Sequence, residues 1–388
     1  MLAQPDNGEI MTAILTPCDL GPLNMRNRVV YLPFFTAYAD EEGYVTPQIF
    51  EHYRRMAESG VGMVVVEASL VRDRHLAPAS LRAFGEGHLP GLQALAQVIR
   101  SQGAVAVMQI VHPGRFSGVP GGLAPSAIPA FGDEALMPKE MDEKDMMEVA
   151  IAFAEAADTV RRAGFDGVEL HGATGYLLSS FTSPRTNHRT DLYGGSFENR
   201  MRFPLEVCRT VRDVVGDFPV GYRLMAREYV PGGLSMEEGA VFARAIEQEL
   251  GPAYLSVTAG THECFAVLAE DEQKTSRGFM LPEAEAVKKA VAGTAVIAAG
   301  QLQDLGICEH ALHDGIADAV GLGRVLFADV DWVRKIAGQD INPIRNCVQC
   351  NNCQKQISEG KPAFCIRWSK KERAHNLRNV LQEEPNPA

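Results

Sequence analysis

Four cysteines near the C-terminus form the most distinctive chemical pattern in the sequence. Cys347, Cys350, Cys353 and Cys365 follow the spacing C-x2-C-x2-C-x11-C. The N-terminus MLAQPDNGEIMTA has neither the basic start nor the apolar stretch of a signal peptide. Clustered thiols in such a chain are typical of metal ligation rather than disulfides. The pattern therefore predicts a [4Fe–4S] cluster, with a structural Zn(Cys)4 site as the alternative.

A second set of polar residues follows predicted strands at the point where each strand ends. They are Gln109, His171 and Arg223 after the third, fourth and fifth strands, and Gly300, Gly323 and Arg324 after the seventh and eighth. Loops after strands seven and eight commonly hold a phosphate in α/β barrels. A flavin mononucleotide or a phosphorylated substrate would supply that phosphate. The alternative is that Arg324 caps a helix or pairs with Asp329.

Eight short apolar runs alternate with amphipathic helical patterns and would position these residues. The predicted strands are Val29–Leu32, Met63–Glu67, Val105–Gln109, Gly167–Leu170, Val220–Leu224, Tyr254–Val257, Ala295–Ala298 and Ala319–Gly321. The predicted helices are Pro47–Ser59, Leu89–Gln102, Asp142–Ala163, Ser196–Val215, Ser235–Leu250, Pro282–Ala292, Leu302–His313 and Val330–Ala337. Strict alternation indicates an α/β fold with an all-parallel sheet. The count of eight favours a closed (β/α)8 TIM barrel over an open, doubly wound sheet.

We expect two units: a barrel over residues 1–340 and a Cys-rich iron–sulfur extension over residues 341–388. Residues 112–139 and 258–281 are predicted as long loops after the third and sixth strands, where barrel active sites are built. No G-x-G-x-x-G motif occurs in the sequence, which excludes a Rossmann domain with that fingerprint.

Composition narrows the class of protein. The 388 residues carry a formal net charge of −12 and are 46% hydrophobic, the balance of a globular protein with a large core. The negative charge argues against nucleic acid or an anionic membrane as partner. No apolar run reaches the ~18 residues of a membrane span. We expect a cytoplasmic enzyme that forms a homo-oligomer.

Longer motifs connect these residues to a known family. The stretches LGPLNMRNRVVYLPF, QIVHPGR, HGATGYLLSSFTSPRTNHRTDLYGGSFENR and DAVGLGRVLFAD resemble the old yellow enzyme family of flavin-dependent ene-reductases over residues ~14–340. The Cys-rich RNCVQCNNC resembles the iron–sulfur branch of that family, which includes 2,4-dienoyl-CoA reductase and trimethylamine dehydrogenase. Members of that branch usually have three residues between the second and third cysteines, whereas this chain has two.

The resemblance implies an FMN across the mouth of the barrel. The implied contacts are Pro33, Phe34, Phe35 and Ala68 on the isoalloxazine, Gln109 and Arg223 on its pyrimidine edge, and Gly300, Gly323 and Arg324 on the phosphate. For Arg223, the sequence offers no evident acidic partner, so a flavin anion explains its charge better than an ion pair inside the barrel.

The resemblance also implies catalytic residues. Tyr176 and His262 would supply the proton, and His171 would bind the substrate carbonyl, where the family often has Asn or His as a second donor; here that residue is Thr174. Without the resemblance, Tyr176 would be a packed loop tyrosine and His262 a surface residue. Phe35 stands where trimethylamine dehydrogenase has the cysteine that links its flavin, so a covalent flavin is not expected.

These residues predict reduction of the activated C=C bond of an enone or an α,β-unsaturated (thio)ester. NAD(P)H would reduce the FMN directly, or a separate electron-donor protein would do so through the cluster, since we expect no reductase domain in this chain. One alternative is an oxidative dehydrogenase or N-demethylase that passes electrons out through the cluster. Another is a non-catalytic electron-transfer subunit.

Overall fold

The computed structural model describes residues 12–72, 79–264 and 276–376. Eight parallel strands close into a barrel: β1 (Val29–Tyr31), β2 (Met63–Leu70), β3 (Val105–Val111), β4 (Gly167–Gly172), β5 (Val220–Met225), β6 (Tyr254–Thr258), β7 (Ala295–Ala298) and β8 (Ala319–Leu322). Each strand pairs with the next along the chain, and β8 pairs with β1. The predicted (β/α)8 TIM barrel is confirmed.

Helices follow the strands in the predicted alternation. They are α1 (Pro47–Glu58), α2 (Leu89–Ser101), α3 (Glu143–Arg162), α4 (Phe197–Val215), α5 (Met236–Leu250), α6 (Leu281–Ala290), α7 (Leu305–His313) and α8 (Trp332–Ile336). Several begin at the capping signals in the sequence: Ser235 and Glu238 form a reciprocal capping box at the start of α5. Helix α7 begins three residues later than predicted, because the Asp304 carboxylate accepts the backbone N–H groups of Gly306 and Ile307.

The barrel has one apolar core outside its strands and another inside. Alternate strand residues face the helices and pack with them. The inward-facing residues near the amino ends of the strands form a second cluster. An antiparallel hairpin, Cys18–Leu20 with Leu23–Met25, packs against that second cluster. The barrel is therefore filled with side chains at this end, and polar residues follow toward the carboxyl ends.

Short elements that the sequence pattern did not predict complete the fold. Helix Leu177–Thr182 lies in the loop after β4, and all six of its residues are buried. Helix Arg324–Ala328 follows β8 directly. Helices Asn352–Ser358 and Lys370–Asn376 lie in the Cys-rich extension. The boundary between barrel and extension at residue 340 stays a prediction.

The extension is joined to the barrel through the loop after β1 and through the helix after β8, among other contacts. The backbone N–H of Ala363 donates to the carbonyl of Thr36 at 2.8 Å, and the Tyr38 hydroxyl donates to the carbonyl of Ala363. Trp368 packs on Phe327 with ring centroids 4.8 Å apart, and its indole N–H donates to the Phe327 carbonyl at 2.8 Å. The extension is thus held against the barrel mouth by buried polar and aromatic contacts.

Parts of two predictions fall outside the described residues. The loop predicted over 258–281 includes residues 265–275, and the polar tail predicted over the last ~15 residues includes 377–388; both stretches lie outside. Within the described ranges, none of the helices combines the length and the hydropathy that crossing a membrane requires.

Candidate functional site

A cavity of about 540 Å³ opens at the carboxyl ends of the barrel strands. Its volume is within the range of small-molecule and cofactor sites. It is lined by ten of the residues that the sequence analysis assigned to the FMN and catalytic sites: Pro33, Phe34, Gln109, His171, Thr174, Arg223, His262, Gly300, Gly323 and Arg324. They come together because parallel strands end at one face of the barrel. Three other candidates, Phe35, Ala68 and Tyr176, are not among the lining residues. Phe35 and Ala68 are partly exposed, and Tyr176 contacts His262, which does line the cavity.

Tyr176 and His262 form a hydrogen-bonded pair at one wall of this cavity. The His262 Nε2 and the Tyr176 hydroxyl are 3.2 Å apart. The pair is assembled by backbone contacts: Thr174 forms a β-bridge with Thr261, and the His262 N–H donates to the Thr174 carbonyl at 3.3 Å. Two loops that are distant along the chain are thereby fixed side by side.

Aromatic packing holds the pair in place. Phe116 lies edge-on to both rings, with its centroid 5.9 Å from that of Tyr176 and 5.3 Å from that of His262. Its neighbour Arg115 forms an ion pair with Glu263, which ties the loop after β3 to the loop after β6. Phe116 is a site residue that the sequence prediction missed.

Burial keeps these polar groups uncharged at neutral pH. It raises the pKa of Tyr176 to about 12, and it lowers the pKa of His262. Burial, and then the Arg223 charge, hold the pKa of His171 well below its usual range. Uncharged Tyr176 retains its O–H proton, and a neutral His171 offers one N–H donor.

His171 faces the cavity beside these residues. Its ring centroid is 5.0 Å from that of Tyr176, and its Nε2 is 3.4 Å from the Thr174 hydroxyl. Thr174 adopts a left-handed conformation with φ of 63°, which carries the chain sharply from β4 into the loop. The two predicted carbonyl-binding residues are therefore adjacent, and the imidazole is the larger donor.

An acid that the sequence analysis did not identify lies below the floor of the cavity. Glu169 is fully buried on β4, and its Oε1 accepts a hydrogen bond of 2.7 Å from the Gln109 Nε2. Glu169 also acts electrostatically on Arg223, opposing the effect of burial on its pKa. The prediction that no acid lies near Arg223 is therefore wrong. The sequence did contain a sign of this acid, since Glu169 is the one charged residue in the apolar run GVEL.

The opposite wall of the cavity has the composition expected for a phosphate site. Gly300 has φ of 101°, and a Cβ there would lie 2.7 Å from the Met280 Cβ, so only glycine fits. Arg324 lines the same wall and donates to the Asn351 Oδ1 at 2.9 Å. Asp329, the alternative partner considered for Arg324, instead pairs with Lys335 at 2.8 Å and with Arg345 at 3.7 Å.

The Cys-rich extension contributes directly to this second wall. Cys347, Gln349, Asn351 and Gln354 all line the cavity. Gln349 donates a hydrogen bond to Gln301, which follows Gly300. The sequence did not predict that the cysteine segment would form part of the cavity, because the contact joins elements far apart along the chain.

The four predicted ligand cysteines lie around one small cavity between the extension and Phe327. Burial raises the pKa of the Cys353 and Cys365 thiols, and neighbouring cysteines raise it further. In the described part of the chain, no group of three or more His, Cys, Asp or Glu side chains has the arrangement of a metal-ion site.

The residues around the main cavity fit FMN. A buried amide and a guanidinium lie at its floor, apolar residues Pro33 and Phe34 lie at its side, and a glycine with an arginine lies at its far wall. An aromatic ring system with a polar edge and an anionic tail matches each of these surfaces in turn.

Comparison with known proteins agrees with this geometry. Residues 13–342 match the model of the NADH:flavin oxidoreductase / NADH oxidase family. The chain is 39% identical over 343 residues to an NADH oxidase from Thermoanaerobacter brockii, covering 86% of this chain and 52% of that protein. It is 34% identical over 324 residues to an NADPH dehydrogenase from Geobacillus sp. (strain WCH70), covering 83% of this chain and 92% of that protein.

Among solved structures, a complex of 2-naphthoyl-CoA reductase with 2-naphthoyl-CoA superposes with a TM-score of 0.85 at 28% identity, covering 92% of this chain and 57% of that one. The chain thus spans about half the length of the NADH oxidase and of this reductase. The resemblance to the old yellow enzyme family is confirmed, and the chain belongs to the NADH:flavin oxidoreductase / NADH oxidase family of flavin-dependent oxidoreductases.

Proposed function

We propose that this enzyme binds FMN across the barrel mouth and reduces the activated C=C bond of an enone or an α,β-unsaturated (thio)ester. The observation that carries this proposal is the Tyr176–His262 pair, hydrogen-bonded at 3.2 Å, with His171 beside Tyr176 and with both histidines lining the cavity. A proton donor and a carbonyl donor are the two groups that such a reduction requires from the protein.

When bound, FMN supplies the hydride that the β-carbon of the substrate accepts. The chain supplies the rest of the chemistry. His171, neutral because of its burial, donates a hydrogen bond to the substrate carbonyl oxygen, where negative charge develops. The Tyr176 hydroxyl donates a proton to the α-carbon, and His262 passes a proton from water to the resulting tyrosinate through their hydrogen bond. One hydride and one proton add across the C=C bond, so atoms and electrons balance.

The substrate class follows from the carbonyl donors. His171 provides the main hydrogen bond, and the Thr174 hydroxyl 3.4 Å from its Nε2 assists. Without a carbonyl conjugated to the double bond, neither group would stabilise charge in the transition state. Simple alkenes should therefore not react.

We propose that Cys347, Cys350, Cys353 and Cys365 hold a [4Fe–4S] cluster. Their shared small cavity and their spacing support this assignment. Cys347 also lines the cavity proposed for FMN, which would place a ligand of the cluster close to the flavin. NAD(P)H or a separate electron-donor protein would supply the electrons.

An anaerobic titration tests the proposal. Purified protein loaded with FMN is reduced with NADH or NADPH, then mixed with 2-cyclohexenone or an enoyl thioester while the flavin absorbance is followed. Substrate should reoxidise the flavin and yield the saturated product. Tyr176→Phe should be reduced normally and reoxidised slowly. If the wild-type protein binds FMN but no conjugated carbonyl compound reoxidises it, the ene-reductase assignment fails, and amine substrates should be tested for the oxidative alternative.

A further inference from the structure

A buried polar layer lies inside the barrel below the cavity. Glu169 is fully buried on β4, two residues before His171. Because side chains alternate along a strand, Glu169 and His171 point to the same, inner side of the barrel. Glu169 is not among the residues that line the cavity. It therefore acts on a ligand there through its neighbours and not by contact.

The first of these neighbours is Gln109. Gln109 and Glu169 are paired residues on adjacent strands β3 and β4, and the Gln109 Nε2 donates to the Glu169 Oε1 at 2.7 Å. A carboxylate oxygen can only accept a hydrogen bond, so Glu169 fixes the Gln109 amide with its NH2 group toward the carboxylate. The Gln109 carbonyl oxygen is left for a donor in the cavity.

The second neighbour is Arg223, which lies on β5 and lines the cavity. Its Nη1 donates to the Ser256 hydroxyl at 2.6 Å, a neutral partner. The charged group that acts on it most strongly is Glu169. The buried Glu169 carboxylate therefore opposes part of the positive charge of Arg223.

The barrel wall is adapted to this layer at Gly221. Gly221 pairs with Glu169 on one side and with Tyr254 on the other. A Cβ at Gly221 would lie 2.3 Å from the Tyr254 Cζ, so glycine is required for the tyrosine ring to cross the strand. Burial, and then the Glu169 charge, raise the pKa of Tyr254, which indicates that the hydroxyl end of the ring is near the carboxylate.

We infer that Glu169 is a positioning residue that sets the reduction potential of the flavin, by orienting Gln109 and by neutralising the charge of Arg223. The inference rests on the proposed FMN site. Burial raises the pKa of Glu169, and the Arg223 charge and the Gln109 hydrogen bond oppose that rise and favour the carboxylate. An ionised Glu169 offsets the charge of Arg223, so that Arg223 attracts the extra electrons of the reduced flavin less strongly. Without the carboxylate, Arg223 would act with its full charge, and its effect would be large because the site is buried.

The test is Glu169→Gln, which removes the charge and keeps a side chain of similar shape. The flavin midpoint potential, measured against a reference dye, should become more positive. Sulfite, which adds to oxidised flavin and leaves negative charge on it, should bind about ten-fold more tightly or better. A native far-UV spectrum and an unchanged potential and sulfite affinity would overturn the inference.

A matched control is Glu228→Gln. Glu228 is also a buried carboxylate, and its Oε2 accepts from the Ser183 hydroxyl at 2.6 Å, away from Gln109 and Arg223. Its replacement should leave the potential unchanged. An equal shift in both variants would show a general effect of buried charge and would contradict a specific action of Glu169.

Two further variants keep the inference testable if Glu169→Gln does not fold. Arg223→Gln alone should make the potential more negative. The double variant Glu169→Gln with Arg223→Gln removes both charges, and its potential should lie above that of Arg223→Gln. Equal potentials would overturn the inference. If the wild-type protein binds no FMN at all, the proposed function fails instead, and the two failures are thus distinguishable.

Discussion

The two long walls of the cavity are built in different ways. The tyrosine wall, formed by Tyr176, His262 and Phe116, is fixed by backbone contacts between the loops after β4 and β6 and by aromatic packing. The arginine wall, formed by Gly300, Arg324 and Asn351, is held by side-chain hydrogen bonds from the Cys-rich extension.

The difference separates two tasks. Backbone pairing holds the proposed proton donor at a fixed position without using its polar atoms, so the Tyr176 hydroxyl remains available to the His262 ring. Side-chain contacts between distant segments should instead make binding of the proposed FMN depend on the extension. Substitutions in the tyrosine wall should therefore change the chemistry, and substitutions in the arginine wall should change FMN binding.

The largest effect is expected for Tyr176→Phe. Loss of the hydroxyl removes the proton donor, and general-acid contributions are typically about 10²- to 10⁴-fold in rate. Reoxidation of the reduced flavin by 2-cyclohexenone, followed by stopped-flow absorbance, should slow by that factor. FMN affinity should stay within two-fold or so of wild type, because the arginine wall is intact. A simultaneous loss of FMN affinity would contradict the assignment of chemistry to the tyrosine wall and of FMN binding to the arginine wall.

The arginine wall is tested by Arg324→Ala. A hydrogen bond to a charged group contributes about 1.5–3 kcal/mol, so the Kd for FMN should rise about 10- to 150-fold by fluorescence titration. With FMN in excess, the reoxidation rate should remain near that of wild type. Arg324→Lys should recover part of the affinity, since it retains the charge and loses the planar fork. If Arg324→Ala binds FMN normally, the phosphate lies elsewhere.

The sequence predicted the barrel strands better than the short elements between them. The eight barrel strands are placed to within three residues, because each is an apolar run whose inward and outward faces are both buried. The hairpin Cys18–Leu20 with Leu23–Met25 was missed because strands of three residues have no readable alternation. Helix Leu177–Thr182 was missed because all six residues are buried, which leaves no polar face and hence no helical period.

The sequence likewise identified some residues of the site and missed others. Gln109, His171 and Arg223 were found because strand ends converge at one face of any barrel. Glu169, Phe116 and Asn351 were missed because their importance depends on pairing between strands and on contacts between distant loops. A single sequence shows the periodicity within one helix or strand, but it does not show which side chains of different elements are in contact.

A smaller effect is expected for His262→Gln. The amide keeps a polar group near the Tyr176 hydroxyl but cannot exchange a proton with it as an imidazole does. Reoxidation should slow by about ten-fold, less than for Tyr176→Phe. Because the two residues act as a unit, the double variant should be no slower than Tyr176→Phe alone. Additive losses would show that His262 acts independently, for instance in binding substrate.

Asn351→Ala should have a still smaller effect, on the other wall. It removes the 2.9 Å hydrogen bond that the Arg324 guanidinium donates to Asn351. Because this bond positions Arg324 and is not made to FMN itself, we expect FMN binding to weaken by about 0.5–1.5 kcal/mol. The Kd for FMN should rise about two- to ten-fold, with no change in reoxidation at saturating FMN. Ser358→Ala, in the exposed part of the same extension, is the matched control and should bind FMN as wild type does. A loss of affinity in both variants would indicate damage to the extension as a whole.

The smallest expected effect is that of pH on the rate of the substrate half-reaction, which depends on the tyrosine wall. Tyr176 has a pKa of about 12, so its proton is lost only as the pH rises toward that value. Burial lowers the pKa of His262 and His171, so both imidazoles stay neutral from pH 7 upward. The rate of the substrate half-reaction should therefore be nearly constant between about pH 7 and 10. A decline centred near pH 8 would mean that a different group supplies the proton, and repeating the profile with Tyr176→Phe would show whether that group still acts when the hydroxyl is absent.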